Sequence, residues 1–197
     1  MRKQIIVILS LIAFLSNTLI VEGASNEIPD YITTVAKSFN LDKTLLYAIC
    51  TIESKCNPRA INRNDGTPSQ KALGLKIKSY GLFQLQVDTA KVVGFVDKET
   101  VEVITKKHYV IKRHGKLIDK EKIITKIKVI DHTLDLLDPH QNTWLAASYI
   151  AHLYERYHNT NKVISAYNAG HFTHANNDYV LKVQKQYAIY KIDKKLK

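Results

Sequence analysis

The chain has 197 residues and a formal net charge of +11, with 45% hydrophobic and 24% charged residues. This composition excludes wholesale disorder, collagen-like repeats and a multi-span membrane protein. Glycine and proline are scarce, with seven and four residues, which disfavours an all-β sandwich rich in tight turns, so we expect one mainly helical domain.

The N-terminal segment has the pattern of a secretory signal peptide. Two basic residues precede an uncharged run from Ile5 to Ile20, and small residues follow, where cleavage after Gly23 or after Ala24 fits equally well. An uncleaved anchor helix is the alternative, but polar residues interrupt the run, which is shorter than the roughly 20 apolar residues of a membrane span. We therefore assign residues 1–24 to a signal peptide and residues 25–197 to one exported domain, in the periplasm or the cell-wall space, with no stable membrane span after cleavage.

The next segment, residues 29 to 55, predicts two helices, the second of them capped by Asp42. In the second helix Glu53 continues the apolar stripe that contains Leu46 and Ile49, and it lies in the last turn. Burial disfavours the ionised form of a carboxylate and raises its pKa, which suits a general acid that works near neutral pH. A buried glutamate held by a structural hydrogen bond is the alternative.

The two cysteines of the chain, Cys50 and Cys56, lie in the same region. Six residues apart on one uninterrupted helix, they would point to different faces and could not be joined. Asn57-Pro58 favours a helix end between them, which would bring them within reach of each other. In an exported protein a disulfide and a pair of buried free thiols both stay open.

The rest of the chain predicts a loop, a basic β insertion and a helical C-terminal part. Lysines and β-branched residues in the insertion predict a hairpin with His114-Gly115 at its tip, followed by a separate extended piece from Ile123 to Ile130. Helix returns after Asp138-Pro139, an N-cap followed by proline in the first turn. In chain order the expected bounds are a loop at 57–80, a helix from about Leu82 to Val93, the insertion from 98 to about 130, and helices that begin near residues 139, 162 and 178.

The positive charge indicates an anionic partner. Without residues 1–23 the chain keeps about +10, because two basic residues and one acidic residue are removed. Nucleic acid, phospholipid and an acidic cell-wall polymer would all fit such a charge. Export disfavours nucleic acid, and no nucleic-acid-binding motif is present, so we expect no nucleic-acid partner.

Four sequence motifs and a Tyr-Val-x-x-Val ending resemble the lytic transglycosylase family with the goose-lysozyme-like catalytic domain. They occur in the family order across most of residues 29–190. The motifs are Glu53-Ser54-Lys55-Cys56-Asn57-Pro58, Gly81-Leu82-Phe83-Gln84, Asp138-Pro139-His140-Gln141-Asn142, Ala166-Tyr167-Asn168-Ala169-Gly170 and Tyr179-Val180-Leu181-Lys182-Val183. Phe83 replaces the usual methionine and Cys56 the usual aromatic residue, and both substitutes remain apolar. The resemblance implies a mainly α, lysozyme-like helical domain with a small inserted β-hairpin.

The resemblance also implies roles for five residues. Glu53 matches the single catalytic acid and base, and Tyr167 matches the tyrosine that donates a hydrogen bond to that glutamate. Gln84 matches a substrate-contacting side chain of the sugar groove, and Ser54 and Asn168 match positions that shape the site. No metal is expected, since no zinc signature such as H-E-x-x-H occurs, and no cofactor is implied.

The function that the resemblance implies is cleavage of peptidoglycan glycan strands between N-acetylmuramic acid and N-acetylglucosamine, with formation of a 1,6-anhydro ring. The short, exported, basic chain is most similar to the members that accompany secretion and conjugation machines, whose components are possible partners. Two alternatives stay open: a hydrolytic lysozyme that uses the same Glu53, and an inactive wall-binding or secretion-assembly protein. For the basic insertion, a solvated surface and a docking surface both stay open.

Overall fold

The computed structural model describes residues 29–193. The expected signal peptide therefore lies outside the described residues. Within residues 29–193, no helix combines the length and the apolar character that crossing a membrane requires.

The first two helices form as the sequence predicts. Helix α1 spans Asp30–Ser38 and helix α2 spans Lys43–Ser54. The carboxylate of Asp42 caps α2 by accepting a hydrogen bond of 2.8 Å from the backbone N–H of Thr44. Helix α2 ends because the next two residues turn into the left-handed region, with φ values of 56° at Lys55 and 55° at Cys56.

The turn that ends α2 brings the two cysteines together. A disulfide joins Cys50 to Cys56, whose Cα atoms are 5.0 Å apart. The backbone N–H of Cys56 also donates a hydrogen bond of 3.2 Å to the carbonyl of Cys50. The covalent link and the left-handed turn therefore fix the end of α2 one residue after Glu53.

The segment after α2 contains more regular structure than the expected loop. Three two-residue strands form an antiparallel sheet in the order β1–β2–β3, with a short helix between β1 and β2 and another directly after β3. The second short helix begins five residues later than predicted, because residues 81–84 make a tight turn between β2 and β3, with positive φ at Gly81 and Gln84. The elements are β1 (Ile61–Asn62), α3 (Pro68–Ala72), β2 (Ser79–Tyr80), β3 (Leu85–Gln86) and α4 (Val87–Val92).

The basic insertion is one long β-hairpin. Strand β4 spans Lys98–Arg113 and strand β5 spans Lys116–Asp131, and they pair without interruption from Lys98 opposite Asp131 to Arg113 opposite Lys116. The tip is His114-Gly115, as predicted, and both residues have positive φ, the requirement of the two-residue turn that best matches strand twist. Residues Ile123 to Ile130 are extended, as predicted, but they are not a piece distinct from the hairpin, since they belong to β5 and pair with β4 throughout.

The C-terminal part is helical, and its last helix packs against α2. Asp138 caps the longest of them by accepting a hydrogen bond of 2.7 Å from the N–H of Gln141, and Gly170 ends the next in the left-handed conformation. These elements are a 3₁₀ helix (Thr133–Leu137), α5 (Pro139–Tyr157), α6 (Thr160–Ala169), a 3₁₀ turn (His174–Asn176) and α7 (Asn177–Ile192). The core is built from the apolar stripes of α1, α2, α5, α6 and α7 together with the turn at residues 81–84.

Helix α7 holds α2 through the hydroxyl groups of three tyrosines. Tyr187 donates a hydrogen bond of 2.8 Å to the capping carboxylate of Asp42, and the hydroxyl of Tyr190 lies 2.9 Å from that of Thr51. The third, Tyr179, reaches the carboxylate at the end of α2. The orientation of α2 is therefore set along its whole length by a helix that comes late in the chain.

Candidate active site

Glu53 is the next-to-last residue of α2 and is only partly exposed. Burial raises the pKa of its carboxyl group from 4.5 to about 7, and the negative charge of Asp65 acts in the same direction. A hydrogen bond from Tyr179 opposes both effects. Glu53 is therefore a carboxyl group that is protonated in a large fraction of molecules near neutral pH, as a general acid requires.

The tyrosine that donates a hydrogen bond to Glu53 is Tyr179, so the hydrogen bond expected from Tyr167 to Glu53 was wrong. The hydroxyl of Tyr179 donates a hydrogen bond of 2.5 Å to Oε1 of Glu53, whereas that of Tyr167 donates one of 2.8 Å to the backbone carbonyl of Phe83. Burial, and next to it the charge of Glu53, raises the pKa of both phenols well above the usual value. Both hydroxyls are therefore neutral donors near neutral pH.

Ser54 and Gln84 organise the backbone around Glu53. The hydroxyl of Ser54 donates a hydrogen bond of 2.7 Å to the carbonyl of Leu82 and accepts one of 3.0 Å from the N–H of Asn57. The side-chain amide of Gln84 donates to the carbonyls of Gly81, at 2.9 Å, and Ala60, at 3.3 Å. Ser54 thus ties the end of α2 to the turn at residues 81–84, and Gln84 keeps its carbonyl oxygen as an acceptor.

Asn142 fixes the same turn from the other side. Its fully buried side chain accepts a hydrogen bond from the N–H of Phe83 and donates to the carbonyls of Tyr80 and Leu136, at distances of 2.8–2.9 Å. A Cβ atom on Gly81, where φ is +72°, would lie 2.6 Å from the carbonyl oxygen of Leu136 and 2.7 Å from Nδ2 of Asn142. The turn therefore requires glycine at this position both for its backbone angle and for the approach of Asn142.

Asp65 is, with Tyr179, a residue near the site whose role the sequence analysis missed. Its carboxylate accepts hydrogen bonds from Asn62, at 2.9 Å, from Gln86, at 3.2 Å, and from the hydroxyl of Ser79, so it joins β1, β2 and β3. In the sequence it appears only as a turn former before Gly66. No local signal indicates that its charge acts on Glu53.

Asn168 lies apart from this network. It is exposed in the last turn of α6, and among the described residues none of the hydrogen bonds of Glu53, Tyr167 or Tyr179 involves it. The structure therefore brings Glu53, Ser54, Gln84 and Tyr167 around one turn and adds Tyr179 and Asp65, but it does not include Asn168 in their contacts.

Metal binding finds no support in the part of the chain that the structure describes. Residues 29–193 contain no group of three or more histidine, cysteine, aspartate or glutamate side chains placed to hold an ion. The chemistry that the arrangement supports is proton transfer by one carboxyl group, whose protonation is set by burial, by one phenol and by one neighbouring charge.

A helical domain that places a glutamate of raised pKa at the end of a core helix, beside a small antiparallel sheet, has the architecture of the lysozyme-like class. The family model described as Transglycosylase SLT domain matches residues 30–106 and 116–189, so the chain belongs to this family. The matched segments leave out residues 107–115 at the end of the hairpin. The expected family and fold class are therefore confirmed.

A solved structure shares the fold. It is the lytic transglycosylase Slt from Pseudomonas aeruginosa, in an inactive glutamate-to-glutamine mutant, with a TM-score of 0.51 and 18% identity over 82% of this chain. This chain spans only 23% of the length of that protein. Among curated proteins, none matches this chain at a significant level.

Proposed function

We propose that the protein is a peptidoglycan lytic transglycosylase and that Glu53 is its catalytic acid and base. The observation that carries the proposal is the placement of Glu53 in the last turn of a core helix, hydrogen-bonded by Tyr179, where burial raises the pKa of its carboxyl group to about 7. Membership of the transglycosylase SLT family supports the reaction class. The similar Slt protein, inactive as a glutamate-to-glutamine mutant, supports a reaction that depends on one glutamate.

In the proposed reaction Glu53 acts twice. It first donates its proton to the oxygen that links N-acetylmuramic acid to N-acetylglucosamine, and the bond from C1 of the muramic residue to that oxygen breaks. The ionised Glu53 then accepts the proton of the C6 hydroxyl of the muramic residue while the C6 oxygen forms a bond to C1. The 1,6-anhydro ring closes without water, and Glu53 recovers its proton. Most glycosidases need a second carboxylate as nucleophile or base, but here the 2-acetamido group of the substrate can stabilise the positive charge at C1.

Ser54, Gln84 and Tyr167 support this chemistry indirectly in the proposal. Ser54 and Tyr167 hold the backbone carbonyls of Leu82 and Phe83, and Gln84 offers its carbonyl oxygen to a sugar hydroxyl. We place Asn168 at the rim of the groove, where its exposed side chain is available to the glycan.

The test is incubation of the purified mature protein with purified sacculi, followed by mass spectrometry of the released fragments. A transglycosylase releases 1,6-anhydro fragments, which are one water lighter than the products of a hydrolytic lysozyme. Glu53→Gln should lower the rate by about 10²–10⁴-fold, the usual contribution of a positioned acid or base. Hydrated products would show a lysozyme instead, and intact sacculi with retained binding would show an inactive wall-binding protein.

We also propose that the chain is exported and acts in the periplasm or the cell-wall space. The signal-like pattern before residue 25 and a disulfide, which persists in oxidising compartments, support this location. N-terminal sequencing of the protein recovered from the periplasm or culture medium tests it, with a start at residue 24 or 25 expected. A full-length protein recovered from the cytoplasm would contradict it.

We further propose that the protein opens the wall locally for a secretion or conjugation apparatus. This part rests on the resemblance of the short basic chain to the family members that accompany such machines. Cells that carry only Glu53→Gln should assemble or use that apparatus poorly while growing normally. Unimpaired transfer or secretion in those cells would remove this role and leave the reaction itself untouched.

A further inference from the structure

The pairing of the hairpin sorts its side chains onto two faces. Residues directly opposite each other in an antiparallel pair point to the same face, and neighbours along a strand alternate. Odd-numbered residues of β4 therefore share a face with even-numbered residues of β5. We call this the basic face, because its charged residues are Lys107, Arg113, Lys116, Lys120, Lys122, Lys126, Lys128 and Glu99. The remaining residues of both strands form the opposite face.

Nearly all the excess charge of the hairpin lies on the basic face. It carries seven basic residues and one acidic residue, a net charge of +6, whereas the opposite face carries three lysines and four acidic residues, a net charge of −1. The acid on the basic face, Glu99, lies at the base of the hairpin, 3.4 Å from a ring nitrogen of His132. On this face the stretch from residue 107 to residue 128 therefore presents positive charge only.

The two faces also differ in how their charges are compensated. On the opposite face Lys106 pairs with Glu121 at 3.1 Å, and His108 lies 3.5 Å from the same carboxylate. On the basic face Lys107 stands directly opposite Lys122, and none of the seven basic side chains forms an ion pair with a carboxylate of residues 29–193. Like charges directly opposite each other destabilise a strand pair. The unpaired positive charges of the basic face therefore do not stabilise the folded hairpin. An anionic ligand would neutralise them.

The apolar side chains indicate which kind of anion fits. A segment that binds a lipid surface combines basic residues with apolar residues that enter the membrane on the same side. Here the most exposed apolar side chains lie on the opposite face, where Leu117 is 75% exposed and Ile127 is 72% exposed. On the basic face the most exposed is Tyr109, at 42%. Charge and exposed apolar surface thus point in opposite directions, which fits a hydrated polyanion better than a membrane.

We propose that the basic face is a docking surface for the carboxylate-bearing peptides of peptidoglycan, and that it holds the enzyme on the wall while Glu53 acts. The choice of this polymer rests on the proposed function. Sixteen paired residues per strand give a ribbon roughly 50 Å long, so several carboxylates along a glycan strand can bind at once. Each contact is exposed and weak, and the affinity arises from their number.

The experiment compares two triple variants that remove the same charge from different faces. Lys120→Gln, Lys122→Gln and Lys126→Gln change the basic face, and Lys98→Gln, Lys106→Gln and Lys112→Gln change the opposite face. Both sets are made in the Glu53→Gln background, so that sacculi are bound without being cut. Binding to purified sacculi is measured by sedimentation at several salt concentrations, and again with sacculi whose carboxylates have been amidated.

The proposal requires that the basic-face variant bind about tenfold more weakly than the Glu53→Gln parent, since each exposed charge pair contributes about twofold. Its binding should also depend less on salt. The opposite-face variant should lose no more than about twofold, and amidated sacculi should bind the parent as weakly as native sacculi bind the basic-face variant. If both variants lost the same amount of binding, the loss would follow from net charge alone and the proposal would be overturned. Undiminished binding of the parent to amidated sacculi would overturn it as well.

Three further measurements distinguish a docking surface from a folding defect, a catalytic defect and a lipid-binding surface. Circular dichroism and thermal melting of both variants must match the parent, since the hairpin is exposed on both faces. With Glu53 present, both triple variants should cleave short soluble fragments at the wild-type rate, which tests the proposed function separately. Face-selective binding to sacculi without any cleavage would refute the reaction and keep the docking surface. Face-selective binding to vesicles of phosphatidylglycerol, without binding to sacculi, would overturn the docking proposal.

Discussion

The hydroxyl of Tyr179 donates a 2.5 Å hydrogen bond to Oε1 of Glu53, a residue 126 positions earlier in the chain. This bond favours the ionised carboxylate, whereas burial and the charge of Asp65 favour the protonated form. Because these opposing effects come from different elements, each can be altered without removing Glu53. The proton affinity of this one carboxyl group is therefore adjustable in both directions.

The hydroxyl of Tyr179 should lower the pKa of Glu53. In Tyr179→Phe the bond to the carboxylate is lost, so the pKa of Glu53 rises and the decline of kcat/KM at alkaline pH moves to higher pH. Tyr167→Phe is the matched control, since it removes a hydroxyl bound to the carbonyl of Phe83. It should leave this limb in place and lower the melting temperature instead, because a buried carbonyl loses its partner at a cost of about 1–3 kcal/mol. If the alkaline decline of kcat/KM moved in Tyr167→Phe but not in Tyr179→Phe, Tyr167 rather than Tyr179 would set the pKa of Glu53.

Removal of the charge of Asp65 should shift the same limb in the other direction. The carboxylate of Asp65 disfavours a second negative charge at Glu53, so Asp65→Asn should lower the pKa of Glu53 and move the alkaline limb to lower pH. The variant should also melt at a lower temperature, since Asp65 accepts hydrogen bonds from all three strands of the small sheet. Profiles of kcat/KM against pH for this variant and for Tyr179→Phe, measured together, should diverge from wild type to opposite sides. An unmoved limb in Asp65→Asn would show that solvent screens this charge.

Glu53 should cost the protein stability at neutral and alkaline pH. The folded state raises the pKa of this carboxyl group from 4.5 to about 7, so it binds the proton more tightly than the unfolded state does, and stability is lost as the pH rises from about 4.5 to 7. This rise in the pKa, from 4.5 to about 7, lowers the free energy of unfolding by an amount on the order of 3 kcal/mol once Glu53 is ionised. Glu53→Gln removes the ionisable group and should raise the free energy of unfolding at pH 8 by an amount of this order, but not at pH 4. Chemical denaturation at the two pH values measures it, and an equal effect at both would exclude ionisation as the cause.

The base of the hairpin should be sensitive to pH through His132. Its imidazole nitrogens lie 2.9 Å from Asp135 and 3.4 Å from Glu99, and the hydrogen bond with Asp135, followed by that with Glu99, raises the pKa of His132. Because the pKa is raised in the folded state, the stabilisation is complete below the usual value of about 6.5 and is lost as the pH rises through the folded-state value. Hydrogen exchange of the backbone amides near Asp97 and His132 should therefore accelerate above that range. In His132→Gln the same amides should exchange without this pH dependence, after correction for the intrinsic exchange rate.

Most of the helical fold could be predicted from the sequence because its determinants are local. Asp42 and Asp138 cap their helices as expected, and Gly170 ends α6. The position of Glu53 on the apolar stripe follows from helical periodicity alone. In the hairpin, His114-Gly115 identified the turn because only few residue pairs adopt positive φ at both positions.

The remaining features depend on tertiary contacts that no local pattern contains. Tyr167 and Tyr179 lie in neighbouring motifs, and only the packing of α7 against α2 decides which phenol reaches Glu53. The two-residue strands are too short for alternation to be visible, so the sheet that Asp65 joins was expected to be a loop. The separation of charge on the hairpin required its register, since a shift of one residue between β4 and β5 would mix the two faces.

The three tyrosines of α7 make the order of synthesis relevant to the site. Because a chain is made from its N-terminus, Glu53, Gln84 and Tyr167 all exist before the residues of Asn177–Ile192 are added. Until then α2 lacks the partners for Asp42, Thr51 and Glu53 that α7 provides. A nascent chain or a fragment that ends before α7 would therefore carry the motifs without the finished carboxyl environment. The complete site therefore arises only after α1 to α6 have been made.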